Sequence, residues 1–552
     1  MRLQRIQISR LAYWTAVVAV FAWAAWLRLR APLEPIADSD VWGYLCPGVS
    51  KLIGSGFVHA GRNSAYPGFL YLLLRIAGDF RVIAVAQHLL GLLAGAFLLL
   101  TWQRIRDLIG GAGLPAAVHR WLGLIPVGLY LFAADPIRFE LQIRPEGICG
   151  FLGILNIYLV LQFIYWFFVR EDKRAAVLYG IGTILSVFVL GSVRPSFWLA
   201  ALGSLLPLGF VFFRRGWSKE KLTLALGAVV ALALAVLPEK LLARNDEVDR
   251  AFLPTHLFAE HADIIRDQIA NDLAARTQLP YSRELLERAH SALAREIQKS
   301  FEANPEHYPS LGFDPEYLMF RDDSIHAELS REFRDDVGKL CKFYRFWYSR
   351  TLLQQPGRML AKIGRQMLLF YWPRCRAYNW SRFLNLQNDY AFSANEVASE
   401  RFRAVFGAYP PAVDFVKRSE ELAKRPIRLE QRSYLKRPLL ALAKRYVPWL
   451  FAAVLLSAII WARAALRRRW GWLAGLALFA YWYSFAICLE TGALNSLDVP
   501  RFMTVQFIFA ILAQFLTVLL FLECLTAIYR FRRGSGAAGP SRLPRRENNS
   551  RR

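Results

Sequence analysis

Long apolar runs alternate with short charged segments along most of this 552-residue chain, which is 55% hydrophobic. A helix needs about 20 apolar residues to cross roughly 30 Å of hydrocarbon, and most runs have a length near that value. Ten runs qualify as predicted spans: 11–27, 82–103, 121–134, 147–169, 175–193, 196–213, 222–238, 447–462, 470–489 and 502–529. The pattern therefore predicts an all-α polytopic membrane protein with about ten transmembrane helices.

Residues 239–446 depart from this pattern, because charged residues are dense there and no apolar run reaches spanning length. A segment of this size can form a domain of its own. Apolar residues at helical spacing predict a soluble amphipathic helix over 281–298, and the arginine and aromatic residues over 343–372 are typical of a helix on the membrane interface. We divide the chain into a membrane core (1–238), a mainly helical extracytoplasmic domain (239–446), C-terminal membrane helices (447–529) and a basic disordered tail (530–552).

The formal net charge of +26 follows from where lysine and arginine lie. They concentrate between the predicted spans, at 105–120, 170–174, 214–221 and 463–469, and in the tail. With ten spans, all five segments fall on one side of the membrane, which the positive-inside rule identifies as the cytoplasm. Both termini are then cytoplasmic, and the opposite face carries the first outer loop 28–81, the segments 135–146 and 490–501, Arg194 and the 239–446 domain. No recognition motif accompanies the charge, so we expect no nucleic-acid partner.

The six cysteines form neither a CxxC pair nor a Cys/His spacing typical of a metal site. Cys341 and Cys375 both belong to the 239–446 domain. They are candidates for a disulfide if that domain lies in an oxidising compartment.

Four short polar features share the predicted outer face: Asp38 with Asp40; Arg138, Glu140, Arg144 and Glu146; Arg194; and Asp498 with Arg501. The arginines are informative because the positive-inside rule depletes them from this face. A guanidinium group binds phosphate well through two hydrogen bonds, so the set predicts an anionic ligand. The alternative is local ion pairing, of Arg138 with Glu140, of Arg144 with Glu146 and of Arg501 with Asp498.

The triplet Asp38-Ser39-Asp40 follows the first predicted span almost directly. One interpretation is structural, since Asp and Ser favour turns and helix caps. The other is chemical, since a free carboxylate near a reacting hydroxyl group can act as a general base. The position of the triplet, ahead of an apolar stretch that is led by Tyr66-Pro67, favours the chemical interpretation.

Short motifs in the first 200 residues resemble the integral-membrane glycosyltransferases of the GT-C fold, which use polyprenyl-phosphate-linked sugars. The matching segments are Asp38-Ser39-Asp40 with Tyr44, Arg62-Asn63-Ser64-Ala65-Tyr66-Pro67-Gly68-Phe69-Leu70, Arg144-Pro145-Glu146 and Arg194-Pro195. The plan is similar to that of the dolichyl-phosphate-mannose-type and lipid A aminoarabinose-type transferases. The resemblance covers the membrane core, about 1–240, and does not extend to the 239–446 domain.

The resemblance implies an inverting hexosyl or pentosyl transfer at the outer face of a bacterial-type inner membrane, from a polyprenyl-phosphate sugar to a glycan, lipid or protein acceptor. An acidic residue of the first outer loop acts as catalytic base or metal ligand in such enzymes. That role falls first to Asp40, which has Asp-x-x-x-Tyr spacing with Tyr44, and second to Asp38.

The remaining candidate site residues follow from the same resemblance and from their charge. We expect the donor phosphate to be bound by Arg138, Arg144, Arg194 and Arg501, and the pocket to be completed by Tyr44, Arg62, Tyr66, Glu140 and Glu146. A divalent cation, Mg²⁺ or Mn²⁺, is a candidate cofactor, with Asp38, Asp40 and Glu146 as candidate ligands. Membrane lipids are the other expected partners.

Other functional classes remain open at this point. A transporter or flippase of lipid-linked sugars would need charges within its spans and, in many folds, internal repeats. A polymerase or ligase of lipid-linked glycans would more naturally place its catalytic residues in a late outer loop, which makes Arg501 and the 239–446 domain the discriminating features. A non-catalytic assembly subunit is a further alternative.

Overall fold

The computed structural model describes residues 2–58, 62–109, 113–242, 247–303, 312–379, 383–494 and 499–535. The described chain is predominantly helical, and its one sheet is a short pair in which β1 (Phe383–Asn385) runs antiparallel to β2 (Arg428–Glu430). The first helices, in chain order, are α1 (Arg2–Leu29), α2 (Val41–Leu52), α3 (Ala65–Ala77), α4 (Arg81–Leu108), α5 (Ala116–Phe132), α6 (Ala134–Leu141), α7 (Glu146–Ile164), α8 (Lys173–Val193), α9 (Trp198–Gly203), α10 (Leu206–Phe213) and α11 (Ser218–Leu242). The all-α prediction is confirmed.

The remaining helices form a polar stretch that is followed by four further helices, three of them long. The polar stretch contains α12 (Glu247–Glu260), α13 (Ala262–Ala274), α14 (Arg283–Ala303), α15 (Ile325–Glu332), α16 (Val337–Gln354), α17 (Pro356–Tyr371), α18 (Leu386–Ala398), α19 (Arg403–Phe406) and α20 (Pro410–Ala423). The last helices are α21 (Ser433–Ala462), α22 (Ala464–Leu494), α23 (Val499–Thr504) and α24 (Phe507–Ser535). Residues 536–552, most of the predicted tail, lie outside the described chain.

Eight helices of the described chain are long and apolar enough to cross a membrane: Arg10–Leu29 of α1, α4, Glu146–Val169 with α7, α8, α11, α21, α22 and Phe507–Tyr529 of α24. At about 1.5 Å of rise per residue, a helix of 20 residues covers the hydrocarbon thickness of a bilayer. The protein is therefore a multi-pass membrane protein. Two of the long helices extend beyond the predicted spans, since α11 continues to Leu242 and α21 begins at Ser433.

The third and sixth predicted spans are bent pairs of helices rather than straight ones. α5 meets α6 at 49°, and the segment Pro195–Gly203 meets α10 at 41°, so the number of spans reaches ten if each pair counts as one. Pro136 lies in the first turn of α6, where its missing N–H group breaks no intrahelical hydrogen bond. The sequence Asp135-Pro136 itself predicts a helix break. The break observed at Ala133 agrees with it to within two residues, but the chain continues beyond it as a short helix.

Small residues bring the membrane helices close together. A Cβ atom on Gly95 of α4 would lie 2.7 Å from the side chain of Leu131, and Gly180 of α8 is as closely approached by Leu224. Close backbone approach through small residues is the usual way in which membrane helices gain packing contacts. The end of this bundle where α7 begins and α8 ends carries the polar residues described below.

The polar segment that was predicted as one domain contributes to three different hydrophobic cores. Helices α12–α16 share a core of their own, which includes Phe258, Ile265 and Trp347, and we call them the α12–α16 unit. Several later residues of the segment, such as Phe370 and Phe415, belong to the same core as the membrane helices. Leu386 and Tyr390 belong to a third, smaller core. The predicted amphipathic helix is confirmed as α14, with Leu285, Leu286, Ala289, Ala292 and Leu293 buried.

The interfacial interpretation of residues 343–372 is corrected for its first part. Phe343, Tyr344 and Trp347 are buried inside the α12–α16 unit, because α16 turns its aromatic face toward α12 and α13. Only later residues of the stretch, such as the exposed Trp372, retain the character of an interfacial segment. Cys341 and Cys375 are both free thiols rather than a disulfide.

Candidate functional site

A pair of backbone hydrogen bonds fixes the loop that follows α1. The N–H group of Ile36 donates to the carbonyl of Leu141 at 2.8 Å, and the N–H group of Ile143 donates to the carbonyl of Ile36 at 2.8 Å. This short parallel bridge holds residues 36–40 beside residues 141–144. The loop also packs against the polar segment, because Ser393 accepts a hydrogen bond from the N–H group of Ala37. Asp38 and Arg144 are therefore brought together by the backbone.

Asp38 has a structural and an ionic role at once. One of its oxygens accepts a hydrogen bond from the N–H group of Asp40 at 2.9 Å, and its carbonyl accepts one from Val41, so the triplet forms the turn that opens α2. Its other oxygen is in contact with the guanidinium group of Arg144. The turn that the sequence predicts is therefore present, and an ion pair with Arg144, which the sequence did not predict, accompanies it.

Arginines from three separate segments surround the carboxylate of Asp40. Arg62 lies 2.8 Å from its Oδ1 atom, while Arg501 and Arg144 lie 2.9 Å and 3.8 Å from its Oδ2 atom. The Asp40 side chain is 19% exposed, so a molecule at the surface of the protein can still reach it. Three positive groups therefore surround one carboxylate.

Glu146, the first residue of α7, holds two arginines by one oxygen. Arg194, which follows α8, and Arg501 each lie 2.5 Å from its Oε1 atom. The other oxygen, Oε2, is buried without a hydrogen-bond partner in the part of the chain that is described. A small cavity of about 20 Å³ beside it has room for one water molecule. A carboxylate at this position is also favoured by the positive end of the α7 dipole.

Arg501 links the two halves of the cluster. Its guanidinium group contacts Asp40 through Nη2 and Glu146 through Nε. Burial alone would lower the pKa of Arg501, but the neighbouring carboxylates of Glu146 and Asp40 outweigh it and raise the pKa above its usual value. Arg501 thus remains charged at every pH at which the protein is folded. We call the seven residues Asp38, Asp40, Arg62, Arg144, Glu146, Arg194 and Arg501 the arginine–carboxylate cluster.

Tyr44 and Tyr66 form an aromatic wall next to the cluster. Their rings meet edge to face with centroids 5.5 Å apart, and the guanidinium group of Arg62 lies 5.4 Å from the Tyr44 ring. The Tyr66 hydroxyl donates a hydrogen bond to Gln87 at 3.1 Å. Burial raises the pKa of both tyrosines, so each remains protonated at neutral pH. Both residues lie where the sequence placed them, beside Asp40 and Arg62.

Arg138 and Glu140, two residues apart on α6, point in different directions. Arg138 reaches Asp389 at 3.0 Å, in the polar segment. Glu140 turns into the bundle, where it accepts two hydrogen bonds of 2.7 Å from Arg28 and lies 2.8 Å from His88. Residues spaced by two do not face each other on a helix. Glu140 therefore anchors α6 instead of joining the cluster.

The ion pairs that Arg138 and Arg144 form in the structure are with carboxylates other than those weighed in the sequence. Arg138 pairs with Asp389 rather than with Glu140, and Arg144 contacts Asp38 and Asp40. Asp498, the expected partner of Arg501, lies outside the described residues. The arginines do pair with carboxylates, but with carboxylates that are distant in the sequence.

A cavity of about 290 Å³ adjoins the cluster. Its lining includes Asp38, Arg144 and Arg501 of the cluster, together with Arg138 and Asp389. Asp40 is not part of the wall, although it contacts Arg144 and Arg501, which are. A charged group in the cavity can therefore contact the arginines of its lining directly. It would contact Asp40 only if the group or the Asp40 side chain moved.

Several cavity residues carry no signal in the sequence. Asn379 donates a hydrogen bond to Asp135 at 3.0 Å, and both line the cavity together with Asp389. Asp135 was predicted only as the residue before a helix break. Asn379 and Asp389 come from the polar segment, which matches no motif, and only folding places them in the same cavity lining as Arg144.

The three candidate metal ligands do not meet as a metal site. Among the described residues, no group of three or more His, Cys, Asp and Glu side chains is placed to hold a metal ion. Asp38, Asp40 and Glu146 each face arginine instead of one another. This donor set does not fit a divalent cation, so we derive no chemical step through one.

The structure thus brings together seven of the predicted site residues, with Tyr44 and Tyr66 beside them and Arg138 in the lining of the cavity. Only Glu140 is turned away, into the bundle.

Comparisons with known protein families, with curated proteins and with solved structures found no match to this chain. The chemistry of the site therefore follows from its own geometry.

Proposed function

We propose that the chain is a GT-C-like glycosyltransferase of a bacterial inner membrane, which moves a sugar from a polyprenyl-phosphate donor to a glycan, lipid or protein acceptor. The observation that carries this proposal is the arginine–carboxylate cluster beside a cavity of about 290 Å³. The sequence motifs that resemble GT-C enzymes supply four of the segments that meet there. The proposal rests on this coincidence of motif and geometry.

The charge balance of the cluster favours an anionic ligand. Its four arginines exceed its three carboxylates by one charge, whereas Arg138, which also lines the cavity, is paired with Asp389. A phosphate group accepts paired hydrogen bonds from guanidinium groups, which are planar and always charged. Because carboxylates already orient the arginines, the phosphate would meet donors that need little rearrangement.

The position of the cluster favours a phosphate that is attached to a lipid. Glu146 opens the span Glu146–Val169, and Arg194 directly follows the span Lys173–Val193. The cluster therefore lies where the hydrocarbon region ends and lipid headgroups begin. A polyprenyl tail would remain in the hydrocarbon while its phosphate reaches the arginines.

The proposed step assigns one task to each part of the cluster. Arg144 and Arg501 stabilise the charge that develops on the leaving phosphate, which is the largest contribution expected from such groups. Asp40 accepts the proton of the acceptor hydroxyl as its oxygen attacks the anomeric carbon. The new carbon–oxygen bond forms as the bond to the phosphate oxygen breaks, and the electron pair of that bond leaves with the phosphate.

The bound donor would also prepare Asp40 for this task. In the described structure both oxygens of Asp40 contact arginine. A phosphate in the cavity competes for Arg144 and Arg501, which frees one side of the carboxylate for the acceptor hydroxyl. Tyr44 and Arg62, on the other side of Asp40, would then border the acceptor.

The distribution of basic residues supports an assignment of sides. The arginine-rich segments around 104–106 and 463–469 lie at the ends of α4 and α22 that are remote from the cluster. The positive-inside rule makes that end cytoplasmic, together with both termini. The cluster and the polar segment would then face the outer side, where lipid-linked sugars are consumed.

A transfer assay with an arginine variant tests this proposal. Membranes that contain the wild-type protein would be supplied with labelled polyprenyl-phosphate hexoses and pentoses, and transfer of label would be measured. We expect Arg501→Gln to reduce the rate by about 10²–10³-fold, the usual loss for one preorganised donor. Arg75→Gln, which changes an exposed arginine of α3, is the matched control and should retain the wild-type rate. Equal rates for both variants, with an active wild type, would reject the phosphate-binding role of the cluster.

A further inference from the structure

A second polar cavity lies at the opposite end of the helix bundle. It has a volume of about 380 Å³ and is lined by residues of α1, α4, α5 and α7. Gln87, which contacts Tyr66 near the cluster, and Arg104, which lines this cavity, are about 25 Å apart along α4 at 1.5 Å per residue. The two cavities are therefore separate, and the second has no part in the proposed transfer.

Positive charge predominates in the lining of this second cavity. Arg104, Arg106 and Arg120 face it together with a single carboxylate, that of Asp107. Arg104 pairs with Asp107 at 2.8 Å and stacks over Tyr165 at 4.3 Å, so its position is fixed. Two positive charges are left over, which favours an anionic occupant.

Aromatic residues place the cavity at the level of the lipid headgroups. Trp14 of α1 and Trp121 of α5 are both exposed, and Trp14 lines the cavity. Tryptophan is enriched at the boundary between hydrocarbon and water. The exposed Leu100, also in the lining, offers an apolar surface beside the arginines. An occupant that is anionic at one end and apolar at the other fits this arrangement.

Two buried side chains in the lining each have an acceptor atom for which the described residues provide no hydrogen-bond donor. The Oε1 atom of Gln162 and the Nδ1 atom of His119 have no hydrogen-bond partner among the described residues, and both residues are 1% exposed. His119 lies 3.0 Å through Nε2 from the carbonyl of Trp102, so Nε2 carries the proton and Nδ1 of the neutral ring is an acceptor. Buried polar atoms are usually satisfied. An occupant with hydroxyl groups would supply the missing donors.

We propose that this cavity binds the headgroup of a phosphatidylglycerol-type lipid. The phosphodiester would meet Arg104 and Arg120, and the glycerol hydroxyls would donate to Gln162 and His119. The N–H groups at the start of α5, which begins at Ala116 in the cavity wall, lack an intrahelical acceptor and would add to the attraction for the phosphate. Basic pockets between membrane helices commonly hold anionic lipids.

Lipid retention by the purified full-length protein tests this proposal. The protein would be exchanged into micelles that contain phosphatidylglycerol, phosphatidic acid, phosphatidylethanolamine or phosphatidylcholine, and bound lipid would be counted by native mass spectrometry. We expect phosphatidylglycerol to be retained in preference to phosphatidylcholine. The double variant Arg104→Gln/Arg120→Gln should weaken its retention at least about tenfold, the loss typical of one charge-assisted hydrogen bond.

Two further variants separate the cavity from general basic charge and the hydroxyl contacts from the phosphate contacts. Arg467→Gln/Arg468→Gln removes two exposed arginines from the same end of the bundle and should leave retention unchanged. Gln162→Leu should weaken phosphatidylglycerol but not phosphatidic acid, which has no glycerol headgroup. If the double cavity variant is not monodisperse, the single Arg120→Gln variant replaces it. Equal losses in the cavity and control variants, or no lipid preference in the wild type, would overturn the proposal.

Discussion

Arg501 determines how the cluster behaves as a unit, because it is bonded to both Asp40 and Glu146. A guanidinium group can hold two carboxylates at fixed angles, which an ammonium group cannot do. Through Glu146 the same network reaches Arg194, and through Asp40 it reaches Arg62. The arginines are thus held in place before any ligand arrives, which lowers the cost of ordering them.

The ion pair of Arg28 and Glu140 is a second residue-scale determinant, and it acts on stability. Both side chains are almost fully buried, and Glu140 also contacts His88. Glu140→Gln leaves Arg28 without its counter-charge, and removal of one partner of a buried pair costs about 3–5 kcal/mol. We expect a loss of that size in the free energy of unfolding, measured by denaturant titration of the purified protein.

The control for this prediction is Glu420→Gln, which changes an exposed glutamate of α20. Its effect should remain within about 0.5 kcal/mol, as for most surface substitutions. A Glu140→Gln protein as stable as the control would mean that Arg28 and Glu140 contribute no net stability.

At the residue scale, the sequence predicts which residues are unusual better than it predicts their partners. Arg144, Arg194 and Arg501 could be recognised because arginine is depleted from the outer face. Their partners could not, since Arg501 forms ion pairs with Asp40 and Glu146, which lie more than 350 positions earlier in the chain. Such pairs are fixed by how the helices pack, and an isolated motif carries no information about packing.

At the scale of elements, the short helix α6 connects the interior of the bundle with the cavity. Its position depends on the break after α5 and on Pro136 in its first turn. One face presents Arg138 to the cavity, and the other inserts Glu140 toward Arg28. A helix of eight residues has little stability of its own, so these two attachments decide its orientation.

Helix α12 is predicted to make the α12–α16 unit sensitive to acid. Burial, reinforced by the charge of Arg62, lowers the pKa of His256 to about 4. The unfolded chain has a histidine pKa near 6.5, so it binds a proton before the folded state does as the pH falls. Stability is therefore fully present above about pH 6.5 and declines toward pH 4. Between pH 7.5 and pH 5 the expected loss from His256 is about 2 kcal/mol.

Hydrogen exchange in peptides from α12–α16 measures this effect, after correction for intrinsic exchange rates. His256→Gln should lose about 2 kcal/mol less than the wild type over the same interval, since the group no longer titrates. The half-buried His290 of α14 provides the matched variant His290→Gln, which should follow the wild type. If His256→Gln and the wild type show the same pH dependence, His256 does not control the stability of the unit.

Prediction of elements from sequence succeeded where periodicity alone decides the structure. The amphipathic pattern of 281–298 corresponds to α14, whose apolar face is buried. The aromatic stretch 343–372 was interpreted wrongly in its first part, because alternating aromatic and basic residues suit either an interface or the edge of a soluble core. Phe343 and Trp347 are buried in the core of the α12–α16 unit. The pattern of one helix does not reveal which other helices it packs against.

At the scale of the whole molecule, the two ends of the bundle carry different chemistry. One end combines arginine with carboxylates around a cavity, and the other combines arginine with exposed tryptophan. Ten apolar runs were recognisable in the sequence, and the described chain contains eight long helices with two bent pairs in the remaining positions. Length and hydropathy predict where a chain can cross a membrane, but they do not predict a bend of 49° or 41°.

The most direct test of the central claim is sugar transfer by Asp40→Asn, measured in membranes supplied with labelled polyprenyl-phosphate sugars. The variant removes the proposed proton acceptor with almost no change in size, and loss of a general base typically costs about 10²–10⁴-fold in rate. Asp322→Asn, an exposed position in the polar segment, serves as the matched control, and Asp38→Asn tests the second carboxylate. We expect Asp40→Asn to insert normally and to lose transfer, while Asp322→Asn transfers at the wild-type rate. Undiminished transfer by Asp40→Asn would contradict the role of Asp40 as the proton acceptor.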